Sequence, residues 1–173
     1  PFVVSLRHAE ELSDAVSDNF LYCHVKVDTG MGRLGIDWEK GADTVASIMK
    51  MRNIEVTGIS THLASTDSPD RSFADIQASR FKDVIAGLEK KGLKIPFKHV
   101  SNSGAILQES AWDYDGVRPG IMLYGYPPHS AIHVPNPSLR TPGLFRPFLA
   151  WKTRVVQVKK VRKGFPVSYD STH

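Results

Sequence analysis

Hydrophobic and polar positions along this chain alternate between two periods, and the switches between them predict its elements. Residues 2–5 form a short apolar run, and an acid-rich segment of helical character follows at residues 8–18. Residues 20–27 alternate with β-branched and aromatic side chains, as a strand does. Asp37 reads as an N-cap in front of a helix reaching about Arg52, and residues 54–62 read as another strand. Within residues 72–91, Phe73, Ile76, Phe81, Ile85 and Leu88 recur at helical spacing, which predicts a long amphipathic helix. Residues 97–101 are a short strand, 104–109 a short helix and 115–118 a further strand. Strands alternating with helices at this spacing predict a parallel α/β arrangement. About five strand–helix units can be counted, short of the eight that close a barrel, and the chain opens directly in a strand.

From Tyr126 the texture changes. Pro127, Pro128, Pro135, Pro137, Pro142 and Pro147 mark a proline-rich connector. Residues 148–161 then alternate as a β run, and residues 166–169 look like a strand that simply stops. These changes place a boundary near residue 144, with residues 1–143 one unit and residues 144–173 the start of a β domain. Both ends read as cuts through structure.

Composition narrows the class without naming it. The chain has 173 residues, 41% hydrophobic and 23% charged, which are ordinary globular values. Its single cysteine, Cys23, excludes an intramolecular disulfide and suits a reducing, cytoplasmic setting. No apolar run reaches the roughly 18 residues of a membrane span, and no targeting segment is evident at the start. The net charge is +4. The densest basic stretch, residues 152–163, interleaves lysines and arginines with Val155, Val156, Val158 and Val161. A nucleic-acid surface calls for a basic face with aromatic platforms, whereas this pattern reads as a half-buried strand with a solvated basic side.

The segment richest in chemistry is Lys26-Val27-Asp28-Thr29-Gly30-Met31-Gly32-Arg33-Leu34-Gly35. Three glycines after a strand indicate a backbone that turns tightly and comes close to something. With a lysine, an aspartate and an arginine around the turn, the segment suits an anionic ligand. A tight loop closed by an ion pair is the plainer alternative. Further along stand Thr61-His62-Leu63-Ala64, Ser101-Asn102-Ser103-Gly104-Ala105, the run from Gly116-Val117-Arg118-Pro119-Gly120-Ile121 to Gly125, Trp151-Lys152-Thr153-Arg154-Val155 and Val167-Ser168-Tyr169.

In that order and spacing these motifs resemble the alanine racemases, pyridoxal-phosphate enzymes of fold type III. The resemblance covers essentially the whole chain. It implies an eight-stranded α/β (TIM-type) barrel followed by a β domain, of which this chain would supply barrel strands four to eight and the beginning of the β domain. It also implies a cytoplasmic homodimer that interconverts L-alanine and D-alanine for peptidoglycan precursor supply. Every candidate site residue falls at the C-terminal end of a strand, where barrel enzymes keep their chemistry.

The resemblance further implies roles for individual residues. Arg118 matches the arginine that faces the pyridine nitrogen, and His62 the histidine that orients that arginine. Asn102, Ser103, Gly120 and Ile121 match the phosphate site expected after the last two barrel strands, although Ser103 taken alone would read as a helix N-cap. Arg33 matches the arginine that contacts the cofactor's phenolic oxygen and positions the substrate carboxylate. Lys26 matches a lysine that many family members carry as a carbamate. Tyr169 matches the catalytic tyrosine that reaches the partner subunit's site, one of the two bases that racemisation needs on opposite faces of the substrate. The residues after Tyr169 depart from the family, with Asp170 where glycine is usual. No metal is implied.

The segment carrying the family's cofactor-bearing lysine is not among these 173 residues, nor is the rest of the β domain, so the polypeptide alone is expected to be inactive. Two rivals stay open: another fold-type-III enzyme, such as a serine or broad-specificity racemase or a D-threonine aldolase type, and a non-catalytic truncated module. The complete Gly-Met-Gly-Arg-Leu-Gly string and the Arg118 motif favour the racemase over the metal-dependent types.

Overall fold

The computed structural model describes residues 1–17, 19–108, 112–128, 143 and 145–166. Six strands are seen among them: β1 (Phe2–Val3), β2 (Leu21–Asp28), β3 (Ile36–Asp37), β4 (Ile54–Ser60), β5 (Phe97–Asn102) and β6 (Gly116–Arg118). Helices α1 (Leu6–Val16), α2 (Gly41–Ile48), α3 (Ser72–Lys90) and α4 (Ser103–Leu107) fall between them. The sheet order is β1-β2-β4-β5-β6, with every pair parallel and β3 attached to the end of β2. Sequential parallel strands linked by helices are consecutive units of an α/β barrel wall, which agrees with the expectation from the hydrophobic pattern.

Local signals account for the element ends. The Ser5 hydroxyl accepts the His8 N–H and caps α1, which starts two residues ahead of the predicted place. Asp37 does cap, but what it caps is a 3-10 turn over Trp38–Lys40, and α2 proper begins only at Gly41. The core lies between the helices and the outer face of the sheet, where Val3, Val25, Ile59 and Val100 meet Val45, Ile48, Phe81 and Leu88, all essentially inaccessible to water.

One irregularity decides what faces inward. Apolar residues on β4 sit at 54, 56 and 59, which breaks the two-residue strand period. The register accordingly skips: Cys23 pairs with Val56, but His24 pairs with Gly58 and Lys26 with Ser60. Thr57 is the extra residue, and its hydroxyl donates to the Cys23 carbonyl. This bulge returns Ile59 to the helix side and sets Gly58 and Ser60 on the inner face beside His24 and Lys26.

The expected β run over residues 148–161 is a correction. These residues are neither strand nor helix, and Trp151, Val156 and Val158 are 93%, 94% and 89% exposed. The valines that alternation marks as a buried side are all exposed, as are the lysines between them. A strand exists through its ladder partners, and none of the described residues pairs with this segment. The segment does touch the barrel part, through the stacked rings of Tyr124 and Phe148. The Tyr126 hydroxyl also donates to the Leu149 carbonyl. Among the described residues no helix is long and apolar enough to cross a membrane.

Phe81 is fully buried under the sheet with its ring edge-on to Tyr114, 5.7 Å between centroids. Phe81→Ala is expected to lower the unfolding free energy by about 3–5 kcal/mol, read from the denaturation midpoint.

Candidate active site

The carboxyl ends of β2, β4, β5 and β6 point the same way, so the loops that follow them gather into one surface. The loop after β2 is organised by Asp28, whose Oδ1 accepts the backbone N–H groups of Gly30 (2.9 Å) and Gly32 (3.1 Å). Burial works against this carboxylate, but these amides, with those of Met31 and Arg33, outweigh it and hold the group below the usual carboxylate range. Asp28 therefore shapes the turn, and no ion pair to Lys26 or Arg33 is found among the described residues. Gly35 closes the loop at φ +133°, where a Cβ would lie 2.7 Å from the Asp28 amide nitrogen. Only glycine lets the chain return against its own strand there.

Arg118 is the centre of the surface. Its Nη1 donates to Nδ1 of His99 (2.8 Å) and to the His99 carbonyl (3.0 Å). Its Nη2 donates to the carbonyls of Thr61 (2.7 Å) and Val100 (2.9 Å) and stands 3.5 Å from Nδ1 of His62. Both terminal nitrogens are thus committed, leaving Nε–H as the donor without a bond among the described residues. An arginine is always charged and only donates, so Nδ1 of His99 carries the lone pair and its proton sits on Nε2. Nε2 of His99 stands 2.8 Å from the next acceptor, Nδ1 of His24.

The electrostatics follow from this crowding of cations. Burial, then the charges of Arg118 and Arg33, push Lys26 down to about 7. Burial and the charges of Lys26, Arg118 and Arg33 push His62 down to about 4. Burial and Arg118, then His24 and Lys26, do the same to His99, also to about 4. The two imidazoles are neutral, and the site holds three basic side chains with its nearby carboxylate already committed to a turn.

The predicted residues are distributed as follows. Lys26, His62 and Arg118 come together. Arg33 lies exposed on the glycine loop, near enough for its charge to act on Lys26 and His62. The Asn102 side chain is occupied within the protein: it accepts from Thr66 Oγ1 and the Ala105 amide, and donates to the Leu63 carbonyl. Asn102 is therefore the N-cap of α4, and the N-cap reading of Ser103 gives way. The Ser103 hydroxyl instead reaches across to the next loop, accepting the N–H groups of Gly120 (2.8 Å) and Met122 (3.5 Å). With its lone pairs so used, the hydroxyl hydrogen is available to an acceptor outside the chain. Ile121 opens the 3-10 turn beside it and is half exposed. Tyr169 lies outside the described residues.

Three contributors escaped the sequence reading. His99 binds Arg118 more closely than His62 does. His24 stands behind it. Gln77, fully buried on α3, donates to the His62 carbonyl (3.1 Å) and accepts the Ala64 amide (2.8 Å), pinning the loop that presents His62. Alternation could have found the two histidines, since His24 shares the inner face with Lys26 and His99 the inner face with Ser101. A buried glutamine on an amphipathic helix gives no comparable signal.

A parallel barrel wall that gathers its polar groups at the carboxyl ends of its strands defines an α/β-barrel protein with a cationic site. The chain belongs to the alanine racemase family: the family's model, described as alanine racemase, N-terminal domain, matches residues 1–128. A protein named alanine racemase from Carboxydothermus hydrogenoformans is 44% identical over 158 residues, covering 88% of this chain and 40% of the relative. Among solved structures, alanine racemase of Clostridium difficile 630 in complex with cycloserine matches at TM-score 0.73 and 32% identity, over 76% of this chain and 37% of that one. The alanine racemase of Streptomyces coelicolor A3(2) matches at TM-score 0.75 and 29% identity, over 99% and 45%. The chain thus spans about two fifths of the length of the curated relatives it matches.

Neutral His99 makes a pH prediction. Unfolded, it binds a proton near 6.5; folded, only near 4. Its folded value is depressed, so between these values the unfolded state holds more protons and stability falls as pH is lowered, by up to about 1.4 kcal/mol per pH unit for one group. His99→Gln is expected to flatten the pH dependence of unfolding free energy across that window, and a slope equal to that of the unaltered protein would contradict it.

Proposed function

We propose that the protein to which these residues belong interconverts L-alanine and D-alanine with pyridoxal phosphate as cofactor. The observation that carries this reading is the guanidinium of Arg118, held on four sides by protein acceptors with only Nε–H left to offer, in a chain of the alanine racemase family. The residues present fit the group. Ser103 Oγ–H and the Ile121 backbone N–H would hold its phosphate, with Gly120, its own N–H on Ser103 Oγ, turning the loop and Asn102 fixing the loop that carries Ser103. Arg118 Nε–H would meet the pyridine nitrogen.

Pyridoxal phosphate, when bound, supplies the electron sink that makes the α-proton of an amino acid removable. A guanidinium cannot give up its proton, so Arg118 would leave that nitrogen unprotonated and temper the sink, which would favour simple proton exchange over transamination. His62 and His99, both neutral, accept from Arg118 or stand beside it without adding charge. Arg33 would hold the substrate carboxylate through a charge-assisted fork. An amine near neutrality is the form that takes up carbon dioxide, so Lys26 is suited to become a carbamate, whose negative charge would bind Arg33. Tyr169 would move a proton on the face of the substrate opposite the cofactor-bearing lysine, acting across a homodimer interface in the cytoplasm. The polypeptide of residues 1–173 by itself is not expected to turn over alanine.

The test is alanine racemisation by the full-length protein reconstituted with pyridoxal phosphate. Tyr169→Phe should slow α-hydrogen exchange from L-alanine by about 10²–10⁴-fold, while exchange from D-alanine partly survives. Equal small losses from both enantiomers would reduce Tyr169 to a packing residue, and turnover of serine alone would point to another member of the fold-type-III enzymes. For Lys26, isotopically labelled bicarbonate should give a carbamate carbon resonance that disappears in Lys26→Arg. Its absence from the unaltered protein would leave Lys26 an amine.

A further inference from the structure

Behind the cationic site, one residue layer deeper in the barrel, sits a pair of imidazoles in a slot made for them. The Phe2 ring meets His24 edge-on at 5.9 Å and 89°. Phe97 lies 5.8 Å from His24 and 5.6 Å from His99, and the two imidazole centroids are 4.9 Å apart. Two glycines make the room. A Cβ on Gly58 would stand 2.6 Å from atoms of the His24 ring, and one on Gly116 would stand 2.5 Å from Cζ of Phe97. Interior layers of such barrels are ordinarily filled by branched apolar side chains. A histidine pair placed there, with Gly58 admitting the His24 ring and Gly116 the Phe97 ring beside it, calls for an explanation beyond space filling.

The hydrogen-bond order supplies one. Arg118 can only donate, so His99 must present a bare Nδ1 to it and carry its proton on Nε2. A buried N–H without an acceptor is costly, and the atom facing it is Nδ1 of His24, at 2.8 Å. His24 is then obliged to be bare at Nδ1 and protonated at Nε2. Burial holds His24 below the ordinary imidazole value, which agrees with a neutral ring. The chain of donors therefore runs in one direction, from Arg118 inward.

We infer that His24 is a positioning residue for the cofactor site: by accepting Nε2–H of His99 it stabilises the tautomer and ring orientation that leave Nδ1 bare toward Arg118, and through His99 it holds the guanidinium whose Nε–H would meet the pyridine nitrogen. The logic is that of outer partners which orient ligand histidines by fixing their tautomer and ring orientation. This inference rests on the reading of Arg118 under Proposed function for its consequence in catalysis, but the hydrogen-bond order is testable without the cofactor.

The experiment compares full-length protein, cofactor-free and cofactor-loaded, with His24→Leu and His24→Gln. Nitrogen NMR of labelled histidine and arginine reads the His99 tautomer and the exchange protection of His99 Nε2–H and Arg118 Nε–H. The unaltered protein should show one His99 tautomer with Nε2–H protected. His24→Leu, which fills the slot but accepts nothing, should mix the tautomers and expose both N–H groups. His24→Gln, whose amide oxygen can accept, should restore them. In the loaded protein His24→Leu is expected to lower kcat for alanine by about tenfold, the lower end of what losing such an orienting partner does, with KM little changed and most of the loss recovered in His24→Gln. Unchanged His99 protection in His24→Leu would overturn the inference, as would mixed tautomers accompanied by an unaltered kcat. Should the loaded protein fail to racemise alanine while His99 and Arg118 respond as described, His24 keeps its positioning role and the functional reading is what falls.

Discussion

Arg118 joins three parts of the wall with one rigid fork. Its terminal nitrogens bind the carbonyl just past the end of β4 and two carbonyls of β5, with His99 closing the set. None of these acceptors is charged. A guanidinium satisfied by dipoles alone is anchored but not neutralised, and its positive charge remains for whatever enters the site. The low values of Lys26, His62 and His99 all follow from burial beside that charge. An acidic partner in place of the carbonyls would have cancelled that field and left burial as the main cause acting on Lys26.

The rest of the architecture keeps this fork in register with its surroundings. Parallel strands put all carboxyl ends at one rim, so groups as distant in sequence as Lys26 and Arg118 come near enough for the charge of one to act on the other. The loops at that rim are tied down from outside. Arg80 donates to the Thr29 carbonyl while stacked on Trp38, Gln77 grips both sides of Leu63, and Asn102 stitches the β4 loop to the start of α4. Such ties let a site built on loops hold its geometry to the tolerance that positioning demands. The bulge at Thr57 serves the same end from within, because without it Gly58 would turn toward the helices and the His24 ring would lose its slot.

Much of the fold was legible in the residues themselves. The alternating run before Asp28, the long helix beginning at residue 72 and the order of strands and helices were read correctly to within a few residues, because these depend on local periodicity. On that helix, however, Phe73 and Ile76 are exposed while Ala74, Gln77 and Ala78 are buried. The glycine loop also stood out, because three glycines after a strand mark an unusual backbone, whereas Arg118 was singled out only by its resemblance to the family's motif. Alternation misled at residues 148–161, since a strand is completed by a neighbour that the segment's own pattern cannot supply.

What the sequence by itself determined, then, was the kind of wall, the residues able to bear charge or turn tightly, and the family they resemble. Only the tertiary structure decided which of them are partners. Two histidines could have served Arg118, and His99 holds it at 2.8 Å while His62 stands at 3.5 Å. Two residues could have capped α4, and Asn102 does so, freeing Ser103 for the neighbouring loop. Residue type limits who can donate and who can accept. The choice among equals is made by strand register and a one-residue bulge, because hydrogen-bond strength falls away over a few tenths of an ångström, and positions at that scale exist only once distant strands have paired.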